Sequence, residues 1–311
     1  MPIPDPAPPN TAIGRTQFKR LGAVYLLGLF SGSSIVMLRL GVSEIPPLTL
    51  VTLRQLIAAV AFALSLLVLR RTLPRSLQVW RDIAVVATLT TILPIIFFTL
   101  ALEFVSSAVA SIILALVPML TGLMGHVLLH DERISRFQAA GLVVAFIGVV
   151  LLILTGTSGI ASSGGPIFVR GYVLLLASAF ALAIASIYTR KQLQKIDVLV
   201  VTGCQAALSL LVALPLALMF SSFDLSTVTI RGWLAVAWSG LFDSFAGFFL
   251  FFYMIQRFGP TLATLPIYVT PVVSTFLGAL VLQEVINAQL LTGAILILAG
   301  VYLGGMNHSR R

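Results

Sequence analysis

Asp243 stands alone in the apolar run WSGLFDSFAGFF, and two arginines, Arg39 and Arg54, stand in the runs VMLRLG and TLVTLRQL. A charge in such surroundings is costly to desolvate, so it faces a cavity or a partner of opposite sign. For Asp243 the chemistry on offer is contact with a substrate amine, proton titration, or a structural ion pair with an arginine. For Arg39 and Arg54 it is bidentate capture of a substrate carboxylate. The alternatives are snorkelling outward and pairing with Glu44 or Glu103. Trp238, Tyr253 and Tyr268 can stack on an aromatic or amine solute; aromatic residues in such positions also serve as interfacial belts or packing. Pro118 and Pro271, with Pro94 and Pro215, each remove a helix hydrogen bond in mid-run. That frees carbonyls for a solute or lets the helix flex, unless neighbouring helices simply absorb the kink.

Other chemistry is poorly supplied. Cys204 is the only cysteine, so an intramolecular disulfide or a cysteine metal cluster is excluded. The histidines are 126, 130 and 308, with no HExxH arrangement and no nucleophile–base motif. No metal site, cofactor or catalytic residue is expected, which leaves a membrane-embedded hydrolase as a minor alternative. A channel would show rings of charge or a filter sequence, and neither is present.

The elements that must carry these residues follow from composition. Hydrophobic residues make up 59% of 311 and charged residues 9%, where a soluble domain carries roughly 25% charged. So little charge cannot coat a soluble surface, and the lipid bilayer must do the solvating. The net charge of +9 does not indicate nucleic acid, because the basic residues fall in short groups between long apolar runs. Crossing a bilayer takes about 20 helical residues. Ten such runs lie near 21–41, 47–69, 82–101, 106–129, 137–155, 170–189, 198–220, 232–255, 260–283 and 288–306. They show no alternation of the kind barrel strands require. Residues 1–20, proline-rich and then basic, read as a disordered cytoplasmic tail, and 307–311 as a cytoplasmic C-terminal tail. With both termini inside, fifteen of the nineteen basic residues fall in cytoplasmic segments and only Arg170 and Arg231 fall outside, as the positive-inside rule demands.

The soft connection GTSGIASSGGPIF begins at 156, near the midpoint, and sets a linker at 156–169 between halves 21–155 and 170–306. Across it the chain repeats. Pro118 and Pro271, and likewise Gly125 and Gly278, are 153 positions apart; Gly141 and Gly293, and Gly148 and Gly300, are 152 apart. Five helices per copy would invert the second copy, an architecture recurrent in secondary transporters. The charges agree, since ERISR at the first acidic turn becomes EVINA at the second. Gly28 with Gly32, and Gly300 with Gly304, have the GxxxG spacing of close helix packing.

Taken in order, FSGSSIVMLRLG, EIPPLTLVTLRQ, VSSAVASIILALVPMLTGLMG, DERIS and GPTLATLPIYVTPVVSTFLGALVLQEVI resemble the EamA branch of the drug/metabolite transporter superfamily. The resemblance runs from about Leu21 to Gly305. It implies an all-α membrane protein of ten helices in two inverted five-helix repeats, lying in a bacterial inner membrane with both termini cytoplasmic. It further implies a carrier exporting amino acids or related small metabolites by alternating access, with drugs or nucleotide-linked metabolites as alternative cargo. A small-molecule substrate, and protons as a coupling ion, are the partners this suggests, in a monomer or homodimer. Arg39 and Arg54 match the family's basic residues of the first two helices. The first acidic turn departs from the pattern, since both Asp131 and Glu132 could match the family's single glutamate.

Overall fold

A computed structural model describes residues 10–128, 136–160, 168–193, 196–221, 223–258 and 266–305. The apolar runs form helices, and no strand occurs among the described residues. In chain order these are α1 (Asn10–Gly41), α2 (Pro47–Val68), α3 (Leu77–Ala101), α4 (Ser107–Leu114 continued by Val117–Leu128), α5 (Arg136–Leu154), α6 (Phe168–Gln192), α7 (Val198–Phe220), α8 (Ile230–Phe258), α9 (Pro266–Leu282) and α10 (Ala288–Gly305). Eight of them, α1 to α8, contain a stretch long and apolar enough to cross a membrane, whereas α9 and α10 are shorter apolar helices. Large apolar side chains such as Leu67, Leu154, Leu218 and Phe276 point outward, each more than half exposed. A soluble protein could not present such a surface; lipid solvates it. The chain is a multi-pass membrane protein.

The helix edges mostly follow the sequence. One difference is at the start, where α1 begins at Asn10, inside the segment read as a disordered tail. The proline run ends at Pro9, so beyond it nothing removes the backbone N–H groups that a helix needs. The acidic turn with Asp131 and Glu132, and the end segments 1–9 and 306–311, lie outside the described residues.

Two helices change pitch. Helix α3 widens to a π-helix over Thr88–Ile92, just before Pro94, and α8 does so over Ser239–Gly247. Pro94 has no N–H to offer Thr90, and a wider turn accommodates that missing bond. Shifting 88–92 by 153 positions gives 241–245, inside the second π segment. Helix α4 is interrupted at Ala115 and Leu116. Pro118 cannot donate to the Leu114 carbonyl, so the break falls where the bond is missing. Pro215 and Pro271 sit inside continuous helices.

Packing depends on close backbone approach. A Cβ on Gly28 would lie 2.5 Å from the Val269 Cβ, and one on Gly32 2.7 Å from that of Val273, so the first GxxxG pair seats α1 on α9. A Cβ on Gly148 would lie 2.9 Å from the Gly293 carbonyl, and one on Gly300 2.5 Å from the Gly141 carbonyl. Gly148 thus faces Gly293 while Gly141 faces Gly300, so α5 and α10 run antiparallel. The 152-position shift that pairs these glycines exchanges one contact for the other.

Candidate functional site

Arg54 and Gln55 lie near the middle of α2, on the face turned to α7 and α8. Gly240 lets α8 come close there: a Cβ on it would lie 2.9 Å from Ile57 and 3.1 Å from the Arg54 carbonyl. The π turn then presents two consecutive residues, Asp243 and Ser244, to one guanidinium. Arg54 Nη2 donates to Asp243 Oδ2 at 2.6 Å and to Ser244 Oγ at 2.7 Å, while Nε donates to the same hydroxyl at 2.9 Å. The Arg54 side chain is 2% exposed and that of Asp243 24%. This pair is therefore buried on the cationic side and accessible on the anionic side. Of the partners open to Asp243 in the sequence, the structure provides an arginine; of those open to Arg54, it provides neither Glu44 nor Glu103.

Beside the ion pair lies a polar cluster that sequence reasoning missed. Gln55 Nε2 donates to Ser209 Oγ at 2.9 Å. Gln55, Thr91, Thr202, Gln205 and Ser244 together bound a cavity of about 10 Å³ between α2, α3, α7 and α8. Gln205 is 2% exposed, and neither its Oε1 nor its Nε2 has a hydrogen-bond partner among the described residues. The sequence held a partial signal for this cluster: Thr-x-x-Gln occurs at 52–55, 189–192 and 202–205, and the first and last, 150 positions apart, lie in α2 and α7. The two threonines act alike: Thr52 Oγ1 donates to the Leu48 carbonyl and Thr202 Oγ1 to that of Val198, both at 2.8 Å.

The remaining candidates lie elsewhere. Trp238 Nε1 donates to Ser33 Oγ at 3.0 Å, and its ring stands 4.3 Å from that of Phe242, so it ties α8 to α1. Tyr253 stacks along Phe249 with ring centroids 6.4 Å apart. Like Tyr268, it is about two-fifths exposed, and the structure brings neither tyrosine into the polar cluster. Arg39 lies at the end of α1 in the field of Glu284 and Glu103. Burial raises the pKa of the Glu103 carboxyl, and the charge of Arg39 works against that rise. Among the described residues, no three His, Cys, Asp or Glu side chains gather as a metal site.

At the Arg39 end, two carboxylates join the halves of the chain. Glu284 Oε1 accepts from the Ser107 N–H at 2.7 Å, and Oε2 accepts from Ser107 Oγ at 2.8 Å and the Ala108 N–H at 3.3 Å. An anion is favourable at this helix start. Gly278 leaves the space, because a Cβ there would strike the Glu284 carboxylate. Glu44 accepts from the Thr229 N–H and hydroxyl at 2.9 Å and 2.8 Å. At the other end Asp197 caps its own helix through the Leu199 N–H at 2.9 Å and lies 3.4 Å from Arg71. There too, buried Asp82 accepts from the Tyr188 hydroxyl at 2.9 Å, joining α3 to α6.

Comparison with known proteins gives a consistent picture. The sequence profile described as the EamA-like transporter family matches twice, over residues 20–154 and 169–305. The chain is 24% identical to YoaV, an uncharacterized transporter of Bacillus subtilis, over 92% of this chain and 98% of that protein. It is 28% identical to the Escherichia coli inner membrane transporter YedA, over 83% of this chain and 81% of that one. A Salmonella typhimurium protein named "Probable amino-acid metabolite efflux pump" is 27% identical, over 88% and 90% of the two chains. One solved crystal structure, 20% identical, superposes with a TM-score of 0.63 over 90% of this chain and 98% of its own, a likeness of fold.

Proposed function

The chain belongs to the EamA-like transporter family, and from that membership we propose that it is a secondary carrier exporting small metabolites, amino acids or related amphiphilic compounds, across a bacterial inner membrane. The observation that carries the reading is the Arg54–Asp243 pair with its polar surroundings, set between the first halves of α2 and α7 and the middle of α3 and α8, an interhelical position of the kind in which alternating-access carriers bind their cargo. The pair offers a cation for a solute carboxylate and a partly accessible anion for a solute amine. A zwitterion can exchange with the ion pair without leaving either charge unpaired. Protons are the candidate coupling ion, with Asp243 as the acceptor.

In this reading, ten helices form two inverted five-helix repeats joined by the 156–169 linker. Support comes from the double family match, the antiparallel glycine contacts between α5 and α10, and the corresponding π turns. Glu284 and Glu44 hold shut the end they occupy, which by the charge count faces the periplasm. Their release from Ser107 and Thr229 is the step that opens it. An untargeted comparison of extracellular metabolites from cells with and without the gene tests the function. Enrichment of a defined set of small amphiphilic solutes supports it; identical profiles reject it.

A further inference from the structure

The two halves of the central cluster are not equivalent, and the difference lies in the side chains themselves. Gln55 and Gln205 correspond at 150 positions. Gln55 finds the Ser209 hydroxyl at 2.9 Å. The residue corresponding to Ser209 is Ala59, whose side chain carries no hydrogen-bonding group. The one corresponding to Arg54 is Cys204, an uncharged side chain. Gln205 is thus left with a buried donor and a buried acceptor that no described residue satisfies. A buried polar atom without a partner is destabilising, so retaining both makes sense where a transient occupant satisfies them.

We propose that Gln205 marks a subsite for a hydroxyl group of the transported solute, adjoining the Arg54–Asp243 pair; the inference rests on the carrier reading above. The chemistry selects the group. A carboxylate only accepts and would leave Gln205 Oε1 unpaired; an ammonium only donates and would leave Nε2 unpaired. The occupant must do both. Ser244 Oγ already accepts two hydrogen bonds from Arg54, so its own hydrogen is available to donate to the occupant. A carboxamide would also donate and accept, but the free space at the cluster is small, about 10 Å³, which favours the smaller hydroxyl.

The test compares wild type with Gln205→Leu, which keeps an apolar side chain of similar reach. First, the solutes enriched outside cells by the wild-type protein are identified from the cell's own metabolite pool. Each hydroxylated solute and its deoxy analogue are then supplied to membrane vesicles carrying either protein, and the purified proteins are melted. We expect wild type to favour the hydroxylated solute at least tenfold, and Gln205→Leu to lose that preference while melting at a higher temperature. A purely structural glutamine would instead lower the melting temperature on replacement and leave selectivity intact. That result overturns the proposal, as does an exported set without hydroxyl groups. If wild type exports nothing, the carrier reading itself fails, a separate outcome.

Discussion

Arg54 and Asp243 lie 189 positions apart in the chain, yet their side chains meet at 2.6 Å with the guanidinium closed off from solvent. Breaking a buried pair by removing one partner typically costs about 3–5 kcal/mol. Asp243→Asn should therefore lower the melting temperature of the purified protein, because it leaves a buried guanidinium with hydrogen-bond acceptors but no counter-charge. The double variant Arg54→Gln/Asp243→Asn should recover most of that loss. Losses that simply add would mean the two residues do not act as a pair.

A second expectation concerns the antiparallel glycine contacts. Gly148→Val and Gly300→Val should each wedge α5 from α10, costing at least about 1–3 kcal/mol as overpacked side chains do. The inverted-repeat reading proposed above requires both costs to be similar. Thermal melts in detergent measure them, and an unperturbed Gly148→Val protein would contradict the close approach.

The Glu284 latch makes a third. Glu284→Gln keeps the shape but weakens charge-assisted bonds to the Ser107 and Ala108 N–H groups. A cysteine placed at Ser107 should react with a membrane-impermeant thiol reagent faster when Glu284 is replaced. Equal labelling rates would remove Glu284 from any closing role.

Orientation supplies the fourth. Reporters fused after Arg75 and after Lys195 should read cytoplasmic, and one placed within 156–168 should read external. Opposite readings would invert the assignment of the closed end.

Much of the fold was legible because a membrane imposes long apolar runs, and such runs admit few structures. The chemistry of Asp243 and Arg54 was legible for the same reason, since a lone charge in such a run is conspicuous. An ion pair of Asp243 with an arginine was among the sequence readings, but Arg54 as the partner was not legible: contact depends on Gly240 and on the wide π turn, and neither has a clear sequence mark. Gln55, Gln205 and Ser209 were missed because uncharged polar residues are unremarkable in membrane helices; Thr-x-x-Gln marks the two glutamines but recurs at 189–192, and nothing marks Ser209. Trp238 looked like a pocket residue, but its N–H is taken by Ser33. Glu284 could be read as an acidic turn, whereas the helix start it caps lies 177 positions away in sequence.

The most direct test is solute exchange in proteoliposomes, using a solute that wild-type cells are found to export. Wild type should show saturable counterflow. The Arg54→Gln/Asp243→Asn double variant, folded and inserted to the same level, should show at least a hundredfold less. Counterflow by that double variant at the wild-type rate would contradict the claim that the Arg54–Asp243 pair is the transport site.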